Sequence, residues 1–352
     1  MSAASHGAVL RLVTMTPKDL LGHRTDRQML GATCIGGGCA ECASHCLGEI
    51  PVQRIIAPLL GSAQDDFGEA WQNFAVCRSG DRDGIRYRVG DGVLYGVIEI
   101  DEAGFAGDAE AGALQRATRE AYRRIFDLLD AEERPHLWRV WNYLADINAE
   151  TGGLERYRQF NVGRHDAFVA AGRLADGVPQ SVPAACALGV RNGPLTIAFM
   201  AGRMPAQSLE NPRQIAAWRY PQDYGPRSPT FARGALAALP GQDLLFISGT
   251  ASIVVHCTVH AGNVLAQAGE ALVNIEAVLG EANRFMRGQP LALADLAYRI
   301  YLRDAGDYAA VRDLLRARLG GATALYVQAD ICRSDLLVEI EATASRPIAE
   351  AA

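Results

Sequence analysis

The alternation of apolar and polar positions is sharpest in the last third of the chain. Residues 243–255, DLLFISGTASIVV, form an apolar, β-branched run interrupted by Gly249, which predicts a strand. Over 263–282, Leu265, Ala268, Leu272, Ile275 and Leu279 fall on one face at helical spacing and predict an amphipathic helix. A strand over 292–304, a helix over 308–321 ended by glycine, and strands over 322–332 and 336–344 follow. Alternating elements of this order imply helices layered on a sheet.

A weaker copy precedes it. Residues 92–102 predict a strand, and 113–131 a helix with Leu114, Ala121, Ile125 and Leu128 on one face. A strand over 136–148, a helix over 153–168 and a strand pair over 181–190 and 193–202 complete the set. The copy is one of element order and not of residues. Between the units lies WRYPQDYGPRSPTFARG, 218–234. Linkers are ordinarily bland and polar. This one concentrates aromatic and guanidinium groups, which suits the wall of a pocket for a planar anion.

Composition narrows the function classes. Half the residues are apolar, and the net charge of −6 over 352 residues argues against a general nucleic-acid binder. No apolar run reaches the length of a membrane span, and the N-terminal residues lack the pattern of a secretory signal. The expectation is a cytoplasmic protein with reduced thiols.

Two clusters invite a metal reading. TCIGGGCAECASHC, 33–46, gives Cys34, Cys39 and Cys42 the spacing of a plant-type iron–sulfur loop, with Cys46 or Cys77 as a fourth ligand. Zinc would use Cys39, Cys42, Cys46 and His45 or His23. Against both stands the single C-x2-C pair. HCTVH places His256 and His260 on one face of a possible strand, with no third ligand in view.

FISGTASI, EALVNIEAVL and LLVEIEATA occur in that order and resemble the RidA/YjgF superfamily over about 227–347. RidA-type deaminases carry an arginine on the strand before the last. Thr323 stands there, which argues against deamination. WNYLADIN with GLERYRQFNVGR, YPQDYGPRSPTFARG and ADICRSDLLVEIE resemble the chorismatases, the branch of this superfamily with an added N-terminal domain. The resemblance implies an α/β (α+β) protein of two RidA-like units with mixed sheets and helices on one face. An N-terminal domain would span 1–226, with its RidA-like unit at about 90–205, and a C-terminal domain 227–352. It also implies removal of pyruvate from chorismate without a cofactor, by a homotrimer or by a monomer that satisfies the packing with its own repeat. Gly249 and Cys332, seven residues before Glu339, match the aromatizing subtype, which gives 3-hydroxybenzoate and in some members 4-hydroxybenzoate. The hydrolytic subtype, giving a dihydroxycyclohexadienoate, is the alternative.

Such a substrate has two carboxylates, which call for bidentate cations. Arg164 and Arg233 are the expected partners, with Arg227 in reserve, and the phenols of Tyr157 and Tyr224 are candidate hydrogen-bonding groups. Loss of the enolpyruvyl group needs a proton on its methylene, which a carboxylic acid in an apolar pocket can supply. On the last strand Glu339 and Glu341 share the face opposite Val338 and Ile340, and Glu339 is the expected acid. Cys332 would relay or donate a proton or capture the ring, and Gly249 would leave space for the ring to turn.

Overall fold

The computed structural model describes residues 10–348 apart from 24, 37–48, 62–65, 108–110, 176–177 and 180–181. The N-terminal unit is built on β6 (Ile85–Val89), β7 (Val93–Ile100), α1 (Ala113–Ala131), β8 (His136–Ala145), α2 (Arg156–Ala170), β9 (Ala184–Val190) and β10 (Leu195–Gly202). The C-terminal unit contains β12 (Gly234–Leu239), β13 (Gln242–Ala251), α3 (Val264–Asn283), β14 (Ala297–Leu302), α4 (Tyr308–Leu319), β15 (Ala324–Gln328) and β17 (Val338–Pro347). The sheet orders are β9-β8-β10-β7-β6 and β15-β14-β17-β13-β12, which correspond strand for strand in chain order. In each, only the first pair is parallel. The internal repeat read from element order is therefore a repeat of topology as well.

Ahead of the first unit, β1 (Leu10–Met15), β2 (Met29–Gly36), β3 (Val52–Ile56) and β4 (Asp66–Asn73) form a separate sheet, and β5 (Arg78–Arg82) extends the N-terminal sheet beside β6. None of these strands was expected. Their alternation is broken by glycines and short polar insertions, so no long period-two run marks them.

Each sheet packs its helices on one face. Leu114, Ala121, Ile125 and Leu128 of α1 are buried against the outer face of the N-terminal sheet. Leu272, Ile275 and Leu279 of α3 are buried against Val338 and Ile340 of β17. Leu265 departs from the expected stripe and is exposed, while its neighbour Val264 packs against the core. The inner faces meet in a third layer, where Trp141, Tyr143 and Cys186 pack on Phe246, Tyr301 and Val327, with Trp71 and Ile35 of the separate sheet at its edge. Two sheets, each with one helix-covered face, must bury the other face somewhere, and here they bury it against each other.

Three expectations need correction. The run 322–332 is not one strand. It breaks at Ala329, and Asp330–Ile331 (β16) crosses to pair with Leu188 and Gly189 of the N-terminal sheet. A Cβ at 189 would collide with Asp330, so glycine there admits the crossing. Likewise β11 (Gln207–Leu209) joins β12, so the C-terminal sheet takes a strand from before residue 227. His256 and His260 do not share a strand face. Val255 and His260 have φ of 56° and 60°, and Ile253–Val254 pairs with Cys257–Thr258 in a tight hairpin. His256 bonds the Tyr224 hydroxyl at 3.1 Å, whereas His260 lies 3.7 Å from Glu270.

Of the cysteine loop, Cys39, Cys42 and Cys46, with His45, lie outside the described residues. Cys34 is buried within β2, and Cys77 is buried against Asn73. Among the described residues no group of three or more His, Cys, Asp or Glu side chains is placed to hold a metal, and no helix is long and apolar enough to cross a membrane.

Candidate active site

Where β16 crosses between the sheets, the chain leaves a cavity of about 340 Å³. Its floor comes from the inner face of the C-terminal sheet at Gly249, Ala251 and Glu339, and its walls from the start of α2, the 218–234 segment and the turn after β16. Glu339, Cys332, Gly249, Tyr157, Tyr224 and Arg233 all line it.

Glu339 lies on β17 with its face toward the inner layer and is 4% exposed. Strand alternation sends Val338 and Ile340 under the helices, so Glu339 must point at the N-terminal unit. Burial, and then the nearby Glu341 carboxylate, push its pKa up to about 8, while Arg139 pulls the other way. A carboxyl in this setting keeps its proton at neutral pH and can act as an acid.

Gly249 touches this carboxyl group. A Cβ at 249 would overlap Oε1 of Glu339 and press on Cys186. In this structure the space that glycine leaves is taken by the acid itself. The same residue marks an irregularity in the pairing of β13 with β17, between Ile247 and Thr250. Ser248 holds the irregular segment in place, donating to the Ala232 carbonyl at 2.6 Å and accepting from the Ala185 amide at 2.9 Å.

Cys332 follows β16 directly. Burial, with Glu339 adding to it, pushes its thiol up to about 12. At neutral pH it is a thiol and not a thiolate, which favours proton donation over nucleophilic capture. The Tyr157 hydroxyl, at the start of α2, is also driven upward by burial and is bonded to Asn161.

The 218–234 segment is a wall, as its composition implied. Arg233 lies over the rings of Phe231 and Tyr220 at 5.2 and 5.6 Å and donates to the Tyr220 hydroxyl at 2.7 Å. Tyr220 and Tyr224 pack ring to ring at 5.4 Å.

Arg333 is the residue the sequence reading missed. It lies over the Tyr224 ring at 4.0 Å and bonds the His256 carbonyl at 2.9 Å, and it lines the cavity with Arg158. Its signal was adjacency to Cys332 in CRSD. The other two expected arginines are placed elsewhere. Arg164 is buried behind the wall, bonded to Asn161 at 2.9 Å and stacked on Phe160, and does not line the cavity. Arg227 is half exposed and faces Asp166 at 4.0 Å. Helical phase explains Arg164: seven residues on from Tyr157, it shares that residue's side of α2 but sits two turns further from the mouth.

The cavity therefore offers a buried protonated carboxyl, a thiol, phenols and cations around an anion-sized space. Known proteins resemble the chain over most of its length. Residues 69–201 match the family model for the N-terminal part of FkbO/Hyg5-like chorismatases. The chain is 40% identical over 285 residues to a chorismatase of Streptomyces rapamycinicus, covering 79% of this chain and 82% of that one. It is 36% identical over 295 residues to a 3-hydroxybenzoate synthase of Streptomyces hygroscopicus, covering 80% and 83%. A chorismatase crystal structure aligns with 97% of this chain and 100% of its own, at 31% identity and a TM-score of 0.81. The chain belongs to the chorismatase family of enzymes.

Proposed function

We propose that the enzyme converts chorismate to 3-hydroxybenzoate and pyruvate. The observation that carries this reading is the Gly249–Glu339 contact in a cavity that also presents a protonated Cys332. The 3-hydroxybenzoate synthase relative supports the same product class.

Arg233 and Arg333 hold the two carboxylates, and Tyr157 and Tyr224 orient the ring through their hydroxyls. Glu339 gives its proton to the terminal methylene of the enolpyruvyl group, which becomes a methyl, and the adjacent carbon becomes oxocarbenium-like. The bond from the ring to the ether oxygen breaks with its electron pair on oxygen, forming the keto group of pyruvate. The neighbouring ring hydroxyl closes onto the vacated carbon and returns its proton to Glu339. The epoxide-like intermediate opens, loses a ring proton and becomes the phenol, with the Cys332 thiol donating to the opening oxygen and taking a proton back. No water is consumed, so the atoms of chorismate equal those of the two products. Some 4-hydroxybenzoate arises if the epoxide opens at its other carbon.

Incubation with chorismate in the presence of EDTA, followed by chromatography, tests this. The expected result is 3-hydroxybenzoate equimolar with pyruvate. A non-aromatic diol with pyruvate would overturn the product and leave the hydrolytic reaction. No turnover without added iron or zinc would shift attention to the Cys34–Cys46 loop.

A further inference from the structure

The mechanism uses Glu339 and leaves its neighbour Glu341 unexplained. Glu341 lies two positions along the same face of β17, about 7 Å away at strand spacing, and is 4% exposed. Isolated buried carboxylates are costly, and this one is heavily engaged. Arg139 of β8 donates to its Oε2, Tyr301 of β14 donates to Oε1 at 3.2 Å, and Arg299 stands 3.5 Å from Oε1. Arg299 is in turn held by Glu69 of β4 at 2.7 Å, and Tyr301 shares a hydrogen bond with Tyr143 at 2.6 Å. Two acids and two cations thus form a formally neutral chain in the layer between the sheets, ending beside the catalytic carboxyl.

We propose that Glu341 and Arg139 form a positioning pair whose opposed buried charges tune the charge state that burial gives Glu339. The inference rests on the reading of Glu339 as the proton donor. The groups facing Glu339 are Glu341 on its own strand, Tyr301 of β14, Arg139 of β8, Cys186 of β9, Cys332 after β16 and Tyr157 of α2, and, across the cavity, Glu155 and Arg158 of the α2 start, Asp223 and Arg233 of the 218–234 segment, and Arg333 and Asp335 after β16. Among the charged groups, Glu341 and Arg139 are the ion pair buried in the layer between the sheets, whereas the rest stand across the cavity. Cys186 fills the space between the carboxyls, is buried and bonds toward Glu341, and its thiol is held protonated by burial. On its buried side the field at Glu339 is therefore a balance of one anion and one cation, screened less than exposed charges would be. Removing either one unbalances it.

The test is the pH profile of kcat/KM, whose alkaline limb reports deprotonation of the acid. Glu341→Gln keeps the shape, leaves Arg139 uncompensated and is expected to move the limb about one pH unit toward acid. Arg139→Met removes the cation, leaves Glu341 to Arg299 and Tyr301, and is expected to move it toward alkali. Opposite shifts support the pair. An unmoved limb, or shifts of the same sign, overturns it and leaves a scaffold ion pair. If one variant does not fold, the sign of the other decides. A parent enzyme without chorismate turnover would instead sink the functional reading. The infrared carbonyl band of protonated Glu339, assigned with Glu339→Gln, would then still report its titration in each variant.

Discussion

The missing side chain of Gly249 is occupied by the carboxyl group of Glu339, with the Cys186 Cβ 3.2 Å away on the other side. A methyl group at 249 has nowhere to go except against the acid or into β9. Gly249→Ala is therefore expected to fold, because the backbone conformation suits any residue, and to displace Glu339 from its place over the cavity. Displacements of about 1 Å at a reacting group can cost about a hundredfold in rate. A coupled assay of pyruvate release should show a fall in kcat of that order. Unchanged kcat would mean that Glu339 has another resting position and that the contact is incidental.

Glu339 also links stability to pH. Its folded pKa, about 8, stands above the ordinary 4.5, so between those values the native state holds a proton that the unfolded chain has lost. Stability should then decline as pH rises from about 4.5 to about 8, at up to roughly 1 kcal/mol per pH unit, and the penalty should persist above that. Glu339→Gln removes the contribution. Thermal midpoints of the variant and the parent should agree near pH 4.5 and diverge in favour of the variant up to pH 8, while kcat falls about 10²- to 10⁴-fold at every pH. Parallel midpoint curves would show that the carboxyl is ionised in the folded protein.

Much of this was legible in the residues. Helical periodicity in 113–131 and 263–282 and apolar runs in 243–255 and 336–344 gave the two units nearly to their ends, because each element buries one continuous face. The face of Glu339 followed from strand alternation alone. What escaped was set by tertiary context. The crossing of Asp330–Ile331 leaves no mark in a run that reads as one strand. The depth of Arg164 depends on where α2 starts relative to the cavity. Arg333 was passed over because a cation in a turn looks like solvent-facing charge until Tyr224 is seen beneath it. The first four strands, too irregular for a period-two signature, are defined by pairing with one another.

Cys332 should be chemically quiet. With its thiol near 12, the thiolate fraction at pH 8 is about 10⁻⁴. Brief iodoacetamide treatment at pH 8 should label the exposed Cys257 and spare Cys332, as peptide mass spectrometry would show. Cys332→Ala is expected to release pyruvate at a reduced rate with less phenol among the products. Rapid alkylation of Cys332 that abolishes turnover would instead support a nucleophilic thiolate.

Arg303 is expected to govern substrate affinity without touching substrate. Its guanidinium gathers the turn that carries Cys332 and Arg333, donating to the carbonyls of Ile331 at 3.2 Å, Arg333 at 2.9 Å and Leu336 at 3.0 Å. It also ties that turn to both units through Asn148 at 3.1 Å and Asp330 at 2.6 Å. One planar fork meeting five acceptors cannot be replaced by a single ammonium. Arg303→Met should therefore raise KM for chorismate roughly tenfold, which corresponds to about 1.4 kcal/mol, by letting Arg333 drift from the Tyr224 ring. Because each charge-assisted bond to a carbonyl contributes about 1.5–3 kcal/mol, the thermal midpoint should fall as well. The informative comparison is Arg303→Lys, which retains the charge and loses the fork. A KM close to that of Arg303→Met would show that geometry, and not local charge, orders the turn. A KM restored to the parent value would show the reverse.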